Sequence, residues 1–145
     1  ELYESLVDLG LFPLAEGRTL KVLVVDDDPK AVELIAVRIM GLANTVLRAY
    51  GGREAIEAAR RELPDLIVLD LMMPEVNGFD VVEALHDRPK TARIPILVVT
   101  AKQTTAEERA KLSGYVTTIM EKADFDVDRF AAEVRRAMSG RKLAA

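Results

Sequence analysis

The sequence contains no cysteine, which excludes disulfides and thiolate metal sites and points to a reducing compartment. No apolar run approaches the roughly 20 residues that a bilayer-spanning helix needs, and no signal-peptide pattern is present. Positive charge is not in excess: 20 Lys and Arg stand against 24 Asp and Glu, a formal charge of −4. A broad electrostatic grip on nucleic acid or on a membrane surface is therefore not expected, and a cytoplasmic location is. Histidine occurs once, at His86, so any metal site must be built from oxygen ligands.

What is present is ordinary for one globular domain: 145 residues, half of them hydrophobic and 30% charged. Residues 1–20 are of mixed polarity with Gly10, Pro13 and Gly17 as breakers, and read as an N-terminal extension or linker. A regular pattern fills residues 21–140. Residues 141–145 form a tail whose "KLAA" has the look of a vector remnant. The start at Glu1 rather than Met fits a fragment of a longer chain.

Within 21–140, short runs rich in Val and Ile alternate with segments of helical period. The expected strands are Val22–Val25, Thr45–Ala49, Leu66–Leu69, Ile96–Val99 and Tyr115–Met120. The expected helices lie near 29–40, 52–62, 78–86, 105–112 and 127–138. In the first helix Ala31, Leu34, Ile35 and Ile39 are expected on the buried face, with Gly41 as the stop. Alternation of this kind predicts an α/β fold, a doubly wound five-stranded parallel sheet with helices on both faces. The runs VLVV, LIVL and ILVV are apolar throughout and suit central strands. The run at 45–49 carries Arg48 and suits an edge.

In such a sheet, ligands sit beyond the carboxyl ends of the strands, and those ends carry chemistry here. Asp26 and Asp27 follow the first strand, Asp70 the third, Thr100 closes the fourth, and Lys122 follows the fifth. Asp28 and Pro29 have a plainer role as N-cap and first residue of a helix. Clustered carboxylates repel unless a cation intervenes, and an all-oxygen ligand set selects Mg²⁺. A lone carboxylate at the end of the central strand can carry a phosphoryl group, with a lysine and a hydroxyl facing the phosphoryl oxygens.

Taken together, "VLVVDDDP", "DLIVLDLMMPEVNGFDVV", "IPILVVTA" and the later lysine resemble the receiver domain of two-component response regulators, from about Lys21 to Met138. The separations of 43 residues from Asp27 to Asp70, 30 to Thr100 and 22 more to Lys122 are similar to the family's. The resemblance implies a flavodoxin-like receiver fold with the strand order 2-1-3-4-5, and a phosphorelay function. Asp70 would accept the phosphoryl group from a phosphohistidine, and the domain would catalyse its own phosphorylation and dephosphorylation without turning over an external substrate. Asp27 would bind Mg²⁺ directly and Asp26 through water, with Asp70 and the backbone carbonyl of Met72 completing the protein's share. Lys122 would pair with the phosphoryl group, and Thr100 would report its presence. The donor would be a histidine kinase or phosphotransfer protein, in the same chain if this receiver belongs to a hybrid sensor kinase, and a downstream effector would read the change.

Two positions depart from the family. Ala123 follows Lys122 where proline is usual, and Ile119 stands where a switch aromatic is usual, with Tyr115 too early to replace it. These departures keep open a second reading, a pseudo-receiver that binds partners without phosphorylation. A haloacid-dehalogenase-type phosphatase is a third: it would use Asp26 and Asp28 and leave Asp70 idle. "HDRP" at His86 resembles the phosphorylated box of histidine kinases only faintly, so His86 reads as a surface residue at a helix end. The glycines of "GGREA" read as a turn into a helix.

Overall fold

The computed structural model describes residues 20–40, 43–101, 104–121, 128–133 and 136. Its elements are β1 (Lys21–Val25), α1 (Pro29–Ile39), β2 (Thr45–Ala49), α2 (Gly52–Glu62), β3 (Leu66–Leu69), α3 (Gly78–His86), α4 (Pro89–Ala92), β4 (Ile96–Thr100), α5 (Ala106–Leu112) and β5 (Thr118–Glu121). All five strands are parallel and form one sheet in the order β2-β1-β3-β4-β5, as expected. The three apolar runs become the inner strands. β2 is an edge, and there Arg48 Nε meets Glu33 Oε2 of α1 at 2.6 Å. Residues 128–133 are helical, while the remainder of the expected helix at 127–138 lies largely outside the described residues.

The strands' twofold alternation divides the core into two layers. Val22, Val24, Leu66, Val68, Leu97 and Val99 face one side, where Val32, Ile35 and Ile39 of α1 and Phe130 cover them. Leu23, Val25, Ile67, Leu69, Ile96 and Val98 face the other side, packed against Ala55, Ala58 and Ala59 of α2, Val81, Val82 and Leu85 of α3, and Leu112 of α5. Sheets buried on both faces need apolar residues at every strand position.

Three local expectations need correction. The buried face of α1 is Val32, Ile35, Ala36 and Ile39, whereas Leu34 is 54% exposed. Docking against Val22, Val24 and Val68 of the sheet selects Val32 with Ile35 and Ile39 as the covered stripe. Gly41 lies outside the described residues, and Met40 caps the helix. β5 begins at Thr118, not Tyr115. The N–H groups of Tyr115 and Val116 both donate to the Leu112 carbonyl, and Gly114 has φ +93°, so these residues close α5. Sheet pairing resumes only where the Thr117 N–H reaches the Ile96 carbonyl at 2.7 Å. The four-residue α4 was not expected: it has no room for a period, and it is held by the buried Thr91, whose Oγ1 donates to the Leu85 carbonyl at 2.5 Å.

The segment between β3 and α3 bears most directly on the site. Gly78, the first residue of α3, donates its N–H to the Leu71 carbonyl at 3.1 Å. A Cβ at Gly78 would sit 2.6 Å from Leu71 Cα and 2.7 Å from the Asp70 carbonyl oxygen. Gly52, opening α2, lies against Val76 of the same loop just as closely. Glu75 takes the left-handed conformation, φ +64°, which is uncommon for a residue with a side chain. The loop is thus gripped at both ends by backbone contacts that only glycine permits. Gly78→Ala is expected to destabilise the domain by about 1–3 kcal/mol, because the methyl group meets backbone atoms and cannot be relieved by a rotamer change. A urea midpoint equal to wild type would show that the loop yields freely.

Candidate functional site

Backbone pairing continues past the strands and sets the positions of the acidic side chains. The Asp26 N–H donates to the Ala49 carbonyl of β2 at 3.2 Å, and the Asp70 N–H donates to the Val25 carbonyl of β1 at 3.0 Å. Both residues are thereby tied to neighbouring strands, and both are nearly buried, at 1% and 4% exposure. Asp27 follows Asp26 with the opposite strand phase and faces solvent. One carboxylate oxygen from each of Asp26, Asp27 and Asp70 lies within 4.8 Å of the other two. The expected acidic trio is therefore assembled from residues 43 positions apart in the chain.

Short-range hydrogen bonds orient these carboxylates. Asp26 Oδ1 accepts the Asp28 N–H at 3.0 Å, and Asp70 Oδ1 accepts the Met72 N–H at 3.3 Å. Asp28 itself turns away: its Oδ1 accepts the Lys30 N–H at 3.0 Å and caps α1, with Pro29 in the first turn. The Asp26–Asp28 pair that a phosphatase of the rival type would need is not part of the cluster.

Thr100 ends β4 fully buried, opposite Glu121 in the register with β5. Lys122 and Ala123 lie outside the described residues. Ile119 pairs with Val98 and packs, partly buried, on the layer that α2 and α3 cover, so an aliphatic side chain occupies the position of the expected aromatic. Tyr115 is at the other end of this strand region, edge-on to His86 with ring centroids 4.4 Å apart. His86 is exposed at the end of α3, away from the acidic cluster, as its sequence context suggested.

The donor set fits a hard dication. Two nearly buried carboxylates and one exposed one offer only oxygen, and their mutual repulsion and desolvation favour a small, highly charged cation between them. The exposed side at Asp27 leaves room for water or phosphate oxygens in the remaining coordination positions. Beside the cluster, Leu71, Met72, Met73, Pro74, Asn77 and Phe79 line an open, mainly apolar depression.

Sequence reasoning overlooked the residues that shape this loop. Asn77 and Asp80 form a reciprocal capping box: Asn77 Oδ1 accepts the Asp80 N–H at 3.0 Å, and Asp80 Oδ2 accepts the Asn77 N–H at 3.1 Å. The signal was present in "NGFD", an N-cap residue with an acidic residue three positions on. Gly52 had no comparable signal, because its partner Val76 is distant in sequence.

Residues 22–135 match the family model for the response regulator receiver domain. The chain is 37% identical over 107 residues to a probable transcriptional regulatory protein, TcrX, of Mycobacterium tuberculosis, covering 71% of this chain and 45% of that protein. It thus spans less than half the length of this curated relative. Among solved structures, the N-terminal domain of a response regulator receiver protein from Methanoculleus marisnigri is 34% identical, with a TM-score of 0.66 over 70% of this chain and 83% of that one. The chemotaxis protein CheY4 of Vibrio cholerae is 27% identical, with a TM-score of 0.74 over 82% and 98%. Receiver domains are phosphoacceptors of two-component signalling that generally bind Mg²⁺ at an acidic cluster and work with histidine kinases or phosphotransfer proteins. A matching family model over most of the chain, the receiver sheet order and an acidic cluster at its carboxyl edge agree: the chain belongs to the response regulator receiver domain family.

Proposed function

We propose that Asp70 is the phosphoacceptor of this receiver domain, and that Asp26 and Asp27 form a Mg²⁺ site with it. The observation that carries this reading is the approach of the three carboxylates to within 4.8 Å at the carboxyl edge of the inner strands. An oxygen of Asp70 attacks the phosphorus of a phosphohistidine. The P–N bond breaks, the imidazole nitrogen leaves and takes up a proton, and an acyl phosphate remains on Asp70. Bound Mg²⁺, held by Asp26, Asp27, Asp70 and the backbone carbonyl of Met72, would supply charge neutralisation for the phosphoryl oxygens. Asp26 and Asp27 divide the work by exposure: the buried one is fixed by the Asp28 N–H, and the solvent-facing one is free to meet an incoming ion.

Lys122 completes the reading as the cation that pairs with the phosphoryl group, and Thr100 as the hydroxyl that responds to it. The buried place of Thr100 at the end of β4 supports that role. Adding a doubly charged group beside buried strand ends provides differential contacts that shift the domain between two conformations. With Ile119 on the core side of β5, the shift passes to the surface through aliphatic packing rather than through rotation of an aromatic ring. The donor is a histidine kinase or phosphotransfer protein, in the same chain if the receiver belongs to a hybrid sensor kinase, and a downstream effector reads the shift. Residues 21–140 are the receiver unit, and the cytoplasm is its compartment. Among the described residues no helix is long and apolar enough to cross a membrane.

Phosphodonor labelling tests the acceptor. The wild type should incorporate phosphate from a small phosphodonor only with Mg²⁺, and Asp70→Asn should incorporate none. Equal labelling of that variant would remove Asp70 from the chemistry, and label mapped to Asp26 would restore the phosphatase reading.

Metal titration separates the three consecutive aspartates. Asp27→Ala should weaken Mg²⁺ binding by at least 10–100-fold, about the loss seen when only supporting residues of metal sites are changed. Asp28→Ala should leave Mg²⁺ affinity near wild type and reduce stability by about 1 kcal/mol through loss of the α1 cap. Equal losses of affinity in the two variants would refute this division of labour.

A further inference from the structure

We infer that Asn77 is a positioning residue for Asp70, acting through the start of α3 on the loop that carries the phosphoacceptor. The inference rests on the reading of Asp70 given above. The side-chain hydrogen bond of Asn77 goes to Asp80 and not to the acidic cluster. Its amide oxygen holds the Asp80 N–H at 3.0 Å, and Asp80 returns the bond at 3.1 Å, which fixes the first turn of α3.

The next contact is where this becomes chemistry. Gly78 begins α3 and donates its N–H to the Leu71 carbonyl, directly after Asp70. The same glycine packs its Cα against the Asp70 carbonyl oxygen and Leu71 Cα so closely that no side chain fits. Met72, one residue further, aims Asp70 by donating to its Oδ1. An α3 that frays at its first turn releases Gly78, then the Leu71 carbonyl, then the turn that orients the carboxylate.

The loop has a reason to move when released. Glu75 is held at φ +64°, a conformation that a residue with a Cβ leaves when its surroundings stop enforcing it. From the far side Val76 rests on Gly52, and the Asp70 N–H is held by the Val25 carbonyl, so relaxation falls on the turn between them that orients the Asp70 carboxylate. The box is therefore a latch on the geometry of the acceptor, and replacing it changes where the carboxylate points as well as how stable α3 is.

Fluorine-19 NMR of bound beryllofluoride at graded Mg²⁺ concentrations tests this with the full chain. Asn77→Ala should raise the Mg²⁺ concentration for half occupancy roughly tenfold, as expected when a residue that orients a metal ligand is lost. Asn77→Asp keeps an acceptor oxygen at the cap and should restore the wild-type midpoint. Ile39→Val, at the far end of α1, serves as a control that lowers the melting temperature without touching the loop. An unchanged midpoint in Asn77→Ala, no rescue by Asn77→Asp, or an equal shift in Ile39→Val would each overturn the positioning role. Asp70→Asn is run alongside: a bound signal there would defeat the acceptor assignment itself. Its silence with an unchanged Asn77→Ala midpoint would defeat only the latch.

Discussion

Repulsion between carboxylates is the constraint around which this domain is organised. Asp26 and Asp70 are almost withdrawn from water and stand within 4.8 Å of each other and of Asp27. Flexible side chains would separate such charges, or one would take up a proton. Here their backbones are hydrogen-bonded to adjacent strands, Asp26 to β2 and Asp70 to β1, so the sheet opposes the separation. The energy of that opposition comes from two apolar layers that bury every position of the inner strands except Lys21. An all-oxygen cluster held in this way favours a hard cation between the carboxylates, whose charge would offset their repulsion.

The arrangement divides stability and chemistry along the strand axis. Beyond Lys21 the inner strands are hydrocarbon up to their carboxyl ends, a stretch where volume-conserving apolar exchanges are tolerated best. At the carboxyl ends a single residue step separates core from site: Val25 from Asp26, Leu69 from Asp70, Val99 from Thr100. Parallel pairing makes this possible, because it brings all the strand ends to one edge. The helices serve the same edge from below. α1 begins at Pro29, two residues after Asp27, and α3 at Gly78, whose N–H bonds the Leu71 carbonyl next to Asp70.

Most of this could be read from the sequence because the governing signals are short in range. Apolar tetrads that end at Asp26 and Asp70 identify two of the inner strands and the site at once, and the sheet order came with the family resemblance that these motifs carry. Asp28 and Pro29 announce the start of α1 in the same way. The signals that failed depend on phase or on distant partners. Leu34 and Val32 are both acceptable on a buried face of α1, and docking against the sheet decides between them. Tyr115 and Val116 suit a strand by propensity, but their N–H groups are taken by the Leu112 carbonyl. Gly52 looked like a turn residue and serves as a contact surface for Val76, a relation that no local pattern encodes.

The two glycine contacts around the loop also govern how this receiver can change over generations. Where a loop is held by side chains, neighbouring positions can trade volume, and drift is gradual. Here it is held by bare backbone at Gly52 and Gly78, so no partner's change can make room for a new side chain at either. Variation is diverted to residues that point outward, such as the exposed Met72 and Glu75. The exposed rim of the loop can therefore take new side chains while the backbone beneath it, which carries Asp70, keeps its path.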